Sequence, residues 1–220
     1  MLKADFHLHA GEDVFHKLGY TSKELIDHAA AKGFEVLALT FHRDVFFHKE
    51  LEDYARSKGV LLIPGVEREI EGKEFLLYNV TEEDVEKLKA FKDLTELKKK
   101  KNILSIAPHP YFGRANCLGK RLEENIELFD GIEYSHFYLP FFNLNKKARK
   151  VAKNKGLALI GNSDAHELKQ IGWTYTLIDA KKNLESVFES IRNNKVELRT
   201  QPVTIKYFVE RILKIILKNQ

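Results

Sequence analysis

The chain opens with Leu2-Lys3-Ala4-Asp5-Phe6-His7-Leu8-His9, a short apolar run that ends in two histidines. The run Leu2–Phe6 is typical of a β-strand, and residues two apart in a strand point to the same face. His7 and His9 can therefore bind one metal ion. On its own such a pair is more often structural, so its meaning depends on the other residues of the chain.

Seven further apolar, β-rich runs follow the first. They span Val36–Phe41, Val60–Ile63, Phe75–Val80, Ile103–Ala107, Gly131–Tyr134, Leu157–Ile160 and Trp173–Ile178. Several are almost continuously apolar, as is typical of strands that are buried on both faces. Helical patterns lie between most of them, and Thr21–Glu24 is a capping box that opens one such helix. The alternation predicts a parallel α/β fold in one domain, residues 1–220.

Metal-ligand residue types follow six of the predicted strands. They are His7 and His9, His42, Glu67, His109, His136, and Asp164 with His166. The C-terminal ends of the strands of an α/β barrel converge on one mouth, where active sites lie. Unrelated structural histidines would be scattered along the chain instead. The pattern therefore favours a barrel with a metal centre at its mouth.

Composition limits the chemistry further. The 220 residues are 44% apolar and 31% charged, with a net charge of +4 that is weak evidence for a nucleic-acid partner. Cys117 is the only cysteine, so a thiolate metal cluster is excluded and metal would be bound by imidazole and carboxylate. No apolar run approaches the roughly 18 residues of a membrane span, and no signal peptide is recognisable. We expect a cytoplasmic protein without a membrane partner.

Four motifs occur in the order typical of one known superfamily. They are D-x-H-x-H at 5–9, Gly-Val-Glu at 65–67, His-Pro at 109–110 and Ser-Asp-Ala-His at 163–166. From about residue 2 to 177 the chain resembles the polymerase and histidinol phosphatase (PHP) superfamily. The resemblance implies a distorted (β/α)7 TIM-like barrel of seven parallel strands, with Trp173–Ile178 as an added strand. It also implies a phosphoesterase that uses two to three divalent metal ions, Zn, Mn or Fe.

The resemblance also implies a ligand set. The first metal would be held by His7, His9, Glu67 and Asp164, the second by Glu67 and His109, and the third by His42, His166 and a carboxylate. Asp13 is the expected third-metal carboxylate, with Glu12 and His16 of the same loop as alternatives. Glu74 stands where many members have a histidine, and it either ligates or faces solvent. Phe41 stands where many members have an acid before the residue matching His42, which leaves the orientation of His42 open.

Three further residues are candidates for contact with substrate. Arg114 resembles an arginine that follows His-Pro in some members, and its guanidinium suits a bidentate phosphate contact. Arg43 directly follows His42. His136 is expected to line the site, where it would protonate a leaving group or bind phosphate. With Asp164, His136 forms the predicted catalytic pair.

We therefore expect a PHP-type phosphatase that hydrolyses a phosphate monoester or nucleotide phosphate through a metal-bound hydroxide. The alternatives are a metal-dependent hydrolase of a C–N or ester bond and a non-catalytic RNA-binding barrel. A small phosphorylated substrate is favoured over nucleic acid, and the basic run Lys98–Lys101 is interpreted as a solvated helix end. An amphipathic helix at about 204–219 would close the barrel or pair with another subunit.

Overall fold

The computed structural model of the chain describes residues 1–218, so Asn219 of the predicted C-terminal helix lies outside the described residues. Its strands are β1 (Leu2–Leu8), β2 (Val36–Leu39), β3 (Leu61–Ile70), β4 (Lys73–Tyr78), β5 (Leu104–Ala107), β6 (Gly131–Ser135), β7 (Ala158–Asn162), β8 (Thr174–Ile178) and β9 (Val196–Thr200). Its α-helices are α1 (Ser22–Ala31), α2 (Lys49–Ser57), α3 (Glu82–Lys87), α4 (Phe91–Lys100), α5 (Arg121–Glu124), α6 (Asn145–Lys155), α7 (Leu184–Arg192) and α8 (Ile205–Lys218).

The strands form one sheet in the order β7-β6-β5-β4-β3-β2-β1-β8-β9, which curls into a nearly closed barrel. The distorted α/β barrel is thereby confirmed, but the expectation of seven parallel strands is wrong for β4, which is antiparallel to both β3 and β5. The cause is the turn at Glu71 and Gly72, whose positive φ angles of 48° and 72° are typical of a tight hairpin. A parallel crossover needs a dozen residues or more.

The barrel closes differently in its two halves. In the lower half, residues 2–4 of β1 pair with the added strand β8, which runs antiparallel to β1. Strand β9 in turn runs antiparallel to β8. In the upper half, the backbone N–H of Phe6 donates to Asn162 and that of Ser163 donates to Asp5, which ties β1 to the end of β7. The sequence interpretation included β8 but missed β9.

Apolar side chains fill the barrel and two outer layers. Leu2, Ala4 and Phe6 of β1 share an interior cluster with residues of β2–β5, β7, β8 and α7. A second cluster lies beneath α3, α4 and α6, and a third beneath α1 and α2. The register of β1 shifts between Asp5 and Leu8, so Leu8 joins an outer cluster while the neighbouring histidines face the mouth. The irregularity thus aims the HxH pair at the barrel axis.

Helix α8 packs on the barrel through an aromatic pair near its start. Tyr207 and Phe208 join a cluster with Leu139, Val203 and Trp173. Ile205 and Val209 of the same helix are 61% and 48% exposed. Among the described residues, no helix is long and apolar enough to cross a bilayer.

Candidate metal centre

The predicted ligands from separate strand ends meet at the mouth of the barrel. His7 and His9 end β1, Glu67 lies on β3, and Asp164 follows β7. The Nε2 atoms of both histidines lie 3.3–3.5 Å from Glu67 Oε2 and 3.5 Å from Asp164 Oδ1. Both histidines are fully buried and Glu67 is nearly so. These four side chains form a compact pocket of oxygen and nitrogen donors.

The two oxygens of Glu67 face different partners. Oε2 lies 3.2 Å from His42 Nε2 as well as near His7 and His9, whereas Oε1 lies 3.4 Å from His109 Nε2. His109 is also 3.9 Å from Glu74 Oε2. Because β4 runs antiparallel, it begins at the mouth, and this places Glu74 in the cluster instead of in solvent. The carboxylate of Glu67 thus lies between separate groups of donors.

Four imidazoles have their Nδ1 atoms fixed by hydrogen bonds. Nδ1–H of His7 donates to Glu133 at 2.8 Å, and Nδ1–H of His166 donates to the Asp164 carbonyl at 3.0 Å. His9 and His42 both donate to Asp13 Oδ2, at 3.0 and 2.9 Å. The Nε2 atoms of these four rings thereby face the centre, which is the arrangement found in metal-binding histidines.

Asp13 also orients His42, for which Phe41 provides no carboxylate. Its Oδ2 accepts from both Nδ1 and the backbone N–H of His42, so a carboxylate from the β1–α1 loop holds this ring. Burial opposes ionisation of Asp13, but the hydrogen bonds from His42 and His9 bring its pKa well below the usual range. These contacts favour an orienting role for Asp13.

The other acid and the histidine of this loop point in different directions. The Glu12 carboxylate accepts from the backbone N–H and hydroxyl of Ser22, which places it at the start of α1 and away from the centre. The His16 ring lies 4.7 Å from the His42 ring and 4.5 Å from the His166 ring, between centroids. His16, His42 and His166 therefore form a histidine group beside the first pocket.

The charge states reflect this crowding. Burial lowers the pKa of His7, but Asp164, Glu133 and Glu67 outweigh it and raise the pKa well above the usual value. In the same way, contacts with Cys117 and Glu67 outweigh burial and raise the pKa of His109 to about 10. Burial lowers the pKa of His166 to about 3, so this imidazole is neutral. The raised pKa values of His7 and His109 indicate that the carboxylates of this pocket stabilise positive charge.

The predicted substrate-binding residues lie at the rim. Arg114, whose side chain is 55% exposed, has its Nη2 3.0 Å from His109 Nε2 and 3.8 Å from Glu74 Oε2. The Arg43 guanidinium stacks on Phe15, 4.7 Å from the ring centroid. Its backbone has a positive φ of 72°, and its N–H donates to the carbonyl of Glu67. Both arginines thus border the centre from opposite loops.

His136 has an environment that differs from the expected one. It is 5% exposed and lies outside the ligand cluster, with Nε2 3.3 Å from Gln170 Nε2. Burial lowers the pKa of His136 to about 4, which makes the imidazole neutral near pH 7. A proton donor for a leaving group needs a pKa near the working pH. These contacts therefore do not favour the predicted role of His136 as a general acid.

Glu133 and Gln170 are polar residues of the site that the sequence interpretation missed. Glu133 is fully buried, and it accepts from His7 Nδ1, from the backbone N–H of His109 and from Asn162 Nδ2. The available signal was a lone carboxylate inside the apolar run of β6, since a buried charge needs partners. Gln170 lies in a turn after β7 where nothing in the local sequence marks it.

A barrel with a histidine–carboxylate centre at the C-terminal ends of its strands is the architecture of metal-dependent hydrolases. The PHP-associated family matches residues 143–196, which include Asp164 and His166. The chain belongs to the PHP superfamily. It is 31% identical over 146 residues to the uncharacterised protein MJ1587 of Methanocaldococcus jannaschii, a match that covers 62% of this chain and 83% of that protein.

Solved structures have the same fold. One is a two-domain protein from Bacteroides vulgatus that contains a predicted PHP-like metal-dependent phosphoesterase, with a TM-score of 0.68 and 22% identity over 97% of this chain and 69% of that chain. Another is the lesion-specific endonuclease PfuEndoQ from Pyrococcus furiosus, with a TM-score of 0.61 and 13% identity over 96% of this chain and 66% of that chain. At these identities the likeness concerns the fold.

Proposed function

We propose that the protein is a metal-dependent phosphoesterase that hydrolyses a phosphate monoester or nucleotide phosphate with two to three divalent ions, Zn, Mn or Fe. The position of Glu67 carries the proposal, because its two oxygens face His7, His9 and His42 on one side and His109 on the other. A carboxylate in this position can bridge two cations. Imidazole with carboxylate suits these transition metals.

The donor atoms fit metal ions. His7 Nε2, His9 Nε2 and Glu74 Oε2 are buried without a hydrogen-bond partner, which is costly for polar atoms unless something binds them. Among the described residues, four close groups of donors could hold a cation: His7 with His9 and Asp164, Glu67 with Glu74 and His109, His9 with Asp13 and His42, and His7 with His109 and Glu133. For the third metal we favour His16 with His42 and His166, and we assign Asp13 to the orientation of His9 and His42.

Ions bound to these ligands would supply an activated water molecule and a positive field for the phosphate oxygens. The residues of the chain contribute the remaining tasks. Glu133 and Asp13 hold the imidazoles so that Nε2 faces the centre, and Arg114 and Arg43 at the rim can bind phosphate oxygens that project from it. The buried walls limit access of bulk water to one side of the substrate.

The test is metal analysis followed by a phosphate-release panel of sugar phosphates, histidinol phosphate, mononucleotides and short oligonucleotides. We expect two to three equivalents of metal after reconstitution and release of inorganic phosphate from a small substrate. Metal binding with hydrolysis of an amide or ester in place of phosphate would support the C–N or ester hydrolase instead. Less than one equivalent of metal in the folded protein would refute a multinuclear centre and favour the RNA-binding scaffold.

We further propose a homo-oligomer that forms through helix α8. Helix α8 exposes Ile205, Val209, Ile212 and Leu213, which is the surface on which self-association would occur. We favour a small phosphorylated substrate over nucleic acid. The net charge of +4 is weak evidence for a nucleic-acid partner, and the described residues provide no further evidence for one.

A further inference from the structure

Gln170 has a carboxamide whose hydrogen-bonding capacity is fully used. It lies in the turn Leu168–Gln170 after β7 and is 1% exposed. Its Oε1 accepts from the backbone N–H groups of His166 and Glu167, both at 2.6 Å. Its Nε2 donates to the Tyr207 hydroxyl at 2.7 Å and lies 3.3 Å from His136 Nε2. A primary carboxamide offers two donors and two acceptor sites, so all are occupied.

The Tyr207 hydroxyl belongs to helix α8, far along the chain from the metal-ligand motifs. Tyr207 is 7% exposed, and its ring packs edge-on against Trp173 with 4.8 Å between centroids. Arg211 of the same helix lies 3.6 Å from Glu167, also in the loop that Gln170 holds. Helix α8 therefore contacts the loop that follows β7 through one buried polar pair, Gln170 with Tyr207, and one half-buried ion pair, Glu167 with Arg211.

The loop held by Gln170 carries two of the candidate ligands in a demanding conformation. Asp164 has a positive φ of 46°, which is unfavourable for a residue with a side chain and persists only when surrounding contacts enforce it. The His166 ring is oriented by its bond to the Asp164 carbonyl. The direction of His166 Nε2 thus depends on the backbone that Gln170 fixes.

We propose that Gln170 is a positioning residue for the metal centre and that it transmits the placement of helix α8, through Tyr207, to His166. The inference rests on the proposed function, since it assigns a role toward the metals of that site. Removal of this support leaves every ligand in the chain but loosens one of them. The expected consequence is weaker binding of one metal, with the remaining equivalents retained.

The experiment compares Gln170→Leu, Tyr207→Phe and the double variant with the wild type in Co²⁺ titrations followed by visible absorption. We expect Gln170→Leu to weaken one class of Co²⁺ site by about 10- to 100-fold, as for other residues that orient ligands. Tyr207→Phe keeps the ring packing and should weaken the same class by a smaller factor. The double variant should be no weaker than Gln170→Leu, because both changes break one chain of contacts.

Ser190→Ala is the matched control, since the side chain of Ser190 is buried and its removal breaks a hydrogen bond to the Asp179 carbonyl at the opposite end of the barrel. It should leave the titration unchanged. In Gln170→Leu, excess metal should restore turnover without a change in KM for substrate, which a general loss of structure would not allow.

Unchanged Co²⁺ affinity in Gln170→Leu, with a wild type that binds metal and releases phosphate, would overturn the positioning role alone. Independent, additive effects of the two single variants would overturn the link through α8. If Gln170→Leu does not fold, a Tyr207→Phe variant that binds Co²⁺ as tightly as the wild type would overturn the positioning role instead. A wild type without metal would overturn the proposed function itself.

Discussion

The Glu67 carboxylate lies close to histidines from three strand ends, those of β1, β2 and β5. We predict that Glu67→Gln, which keeps the volume but removes the charge, loses more than one metal equivalent because two cations would lack their shared carboxylate. Turnover should fall by at least about 100-fold, or roughly 3 kcal/mol of activation free energy. Metal content and phosphate release measure both effects.

His48→Asn is the control for this variant. His48 caps α2 by accepting the backbone N–H of Leu51, and asparagine is also a good N-cap. The control removes a histidine that lies outside the metal centre, so its metal content and turnover should equal those of the wild type within experimental error. Full metal content and near-normal turnover in Glu67→Gln would refute the bridging assignment.

The histidine pKa values predict proton release on metal binding. His7 has a raised pKa, and that of His109 is about 10, so both are protonated at pH 7 in the metal-free protein and must lose protons to bind metal. His166, with a pKa of about 3, is already neutral. Metal affinity should therefore rise with pH above neutrality. Calorimetric titrations in two buffers of different ionisation enthalpy should give different apparent enthalpies, and identical values would contradict the prediction.

The same shift affects the stability of the metal-free protein. Because the pKa of His109 is raised by folding, its contribution to the free energy of unfolding is fully present below the unfolded-state pKa of roughly 6.5. This contribution is lost as the pH rises toward about 10. Metal binding should remove this alkaline loss, because a cation then replaces the proton.

At the scale of elements, the end of α4 is anchored by a residue that was expected to be solvated. Lys98 Nζ donates to Ser105 Oγ, the Leu128 carbonyl and Asp130 Oδ2, at 2.7–2.9 Å, and its side chain is 19% exposed. The interpretation of Lys98–Lys101 as a wholly solvated helix end is therefore wrong for Lys98. Its ammonium joins α4 to β5 and to the segment that precedes β6.

We predict that Lys98→Met lowers the free energy of unfolding by roughly 2–4 kcal/mol, because it leaves Asp130 and the Leu128 carbonyl short of a donor. Denaturant unfolding measures the change. Lys99→Met is the matched control, since the neighbouring Lys99 pairs with Glu96 at the surface, and this substitution should cost less than about 0.5 kcal/mol. Equal effects of the two substitutions would contradict the anchoring role.

For the whole molecule, barrel closure depends on a close approach at Gly161. Its N–H donates to Thr176 Oγ1 at 2.8 Å, and the same hydroxyl donates to its carbonyl at 3.0 Å. A Cβ at this position would lie 2.7 Å from the Tyr175 carbonyl oxygen and 2.5 Å from a methyl of Leu198. The strands β7, β8 and β9 therefore meet only because this residue lacks a side chain.

We predict that Gly161→Ala destabilises the protein by about 1–3 kcal/mol, as overpacking of a tight core does, because the Tyr175 backbone cannot move aside. Thermal unfolding checks the change. Gly19→Ala, where an added Cβ meets no atom within 4 Å, should be close to neutral. A variant Gly161→Ala as stable as wild type would show that the barrel can widen at its seam.

Much of this architecture could be predicted from the sequence, and the exceptions have physical causes. Eight strand positions and the convergence of the candidate ligands followed from local apolar runs and from barrel geometry. Strand direction at β4 and the strand β9 could not be predicted, because a short turn and cross-strand pairing determine them. Glu133 and Gln170 were missed since their roles arise from contacts between segments distant in the chain.

The single carboxylate oxygen of Asp13 that accepts from His9 and His42 couples two parts of the centre. These rings belong to different ligand groups, so ordering one of them by a bound ion also fixes the acceptor that orients the other. Binding of the second ion then costs less conformational entropy than binding of the first. This difference produces positive cooperativity between the two sites. Occupancy plotted against free metal should be steeper than independent sites allow, and Asp13→Ala should return it to a simple hyperbola.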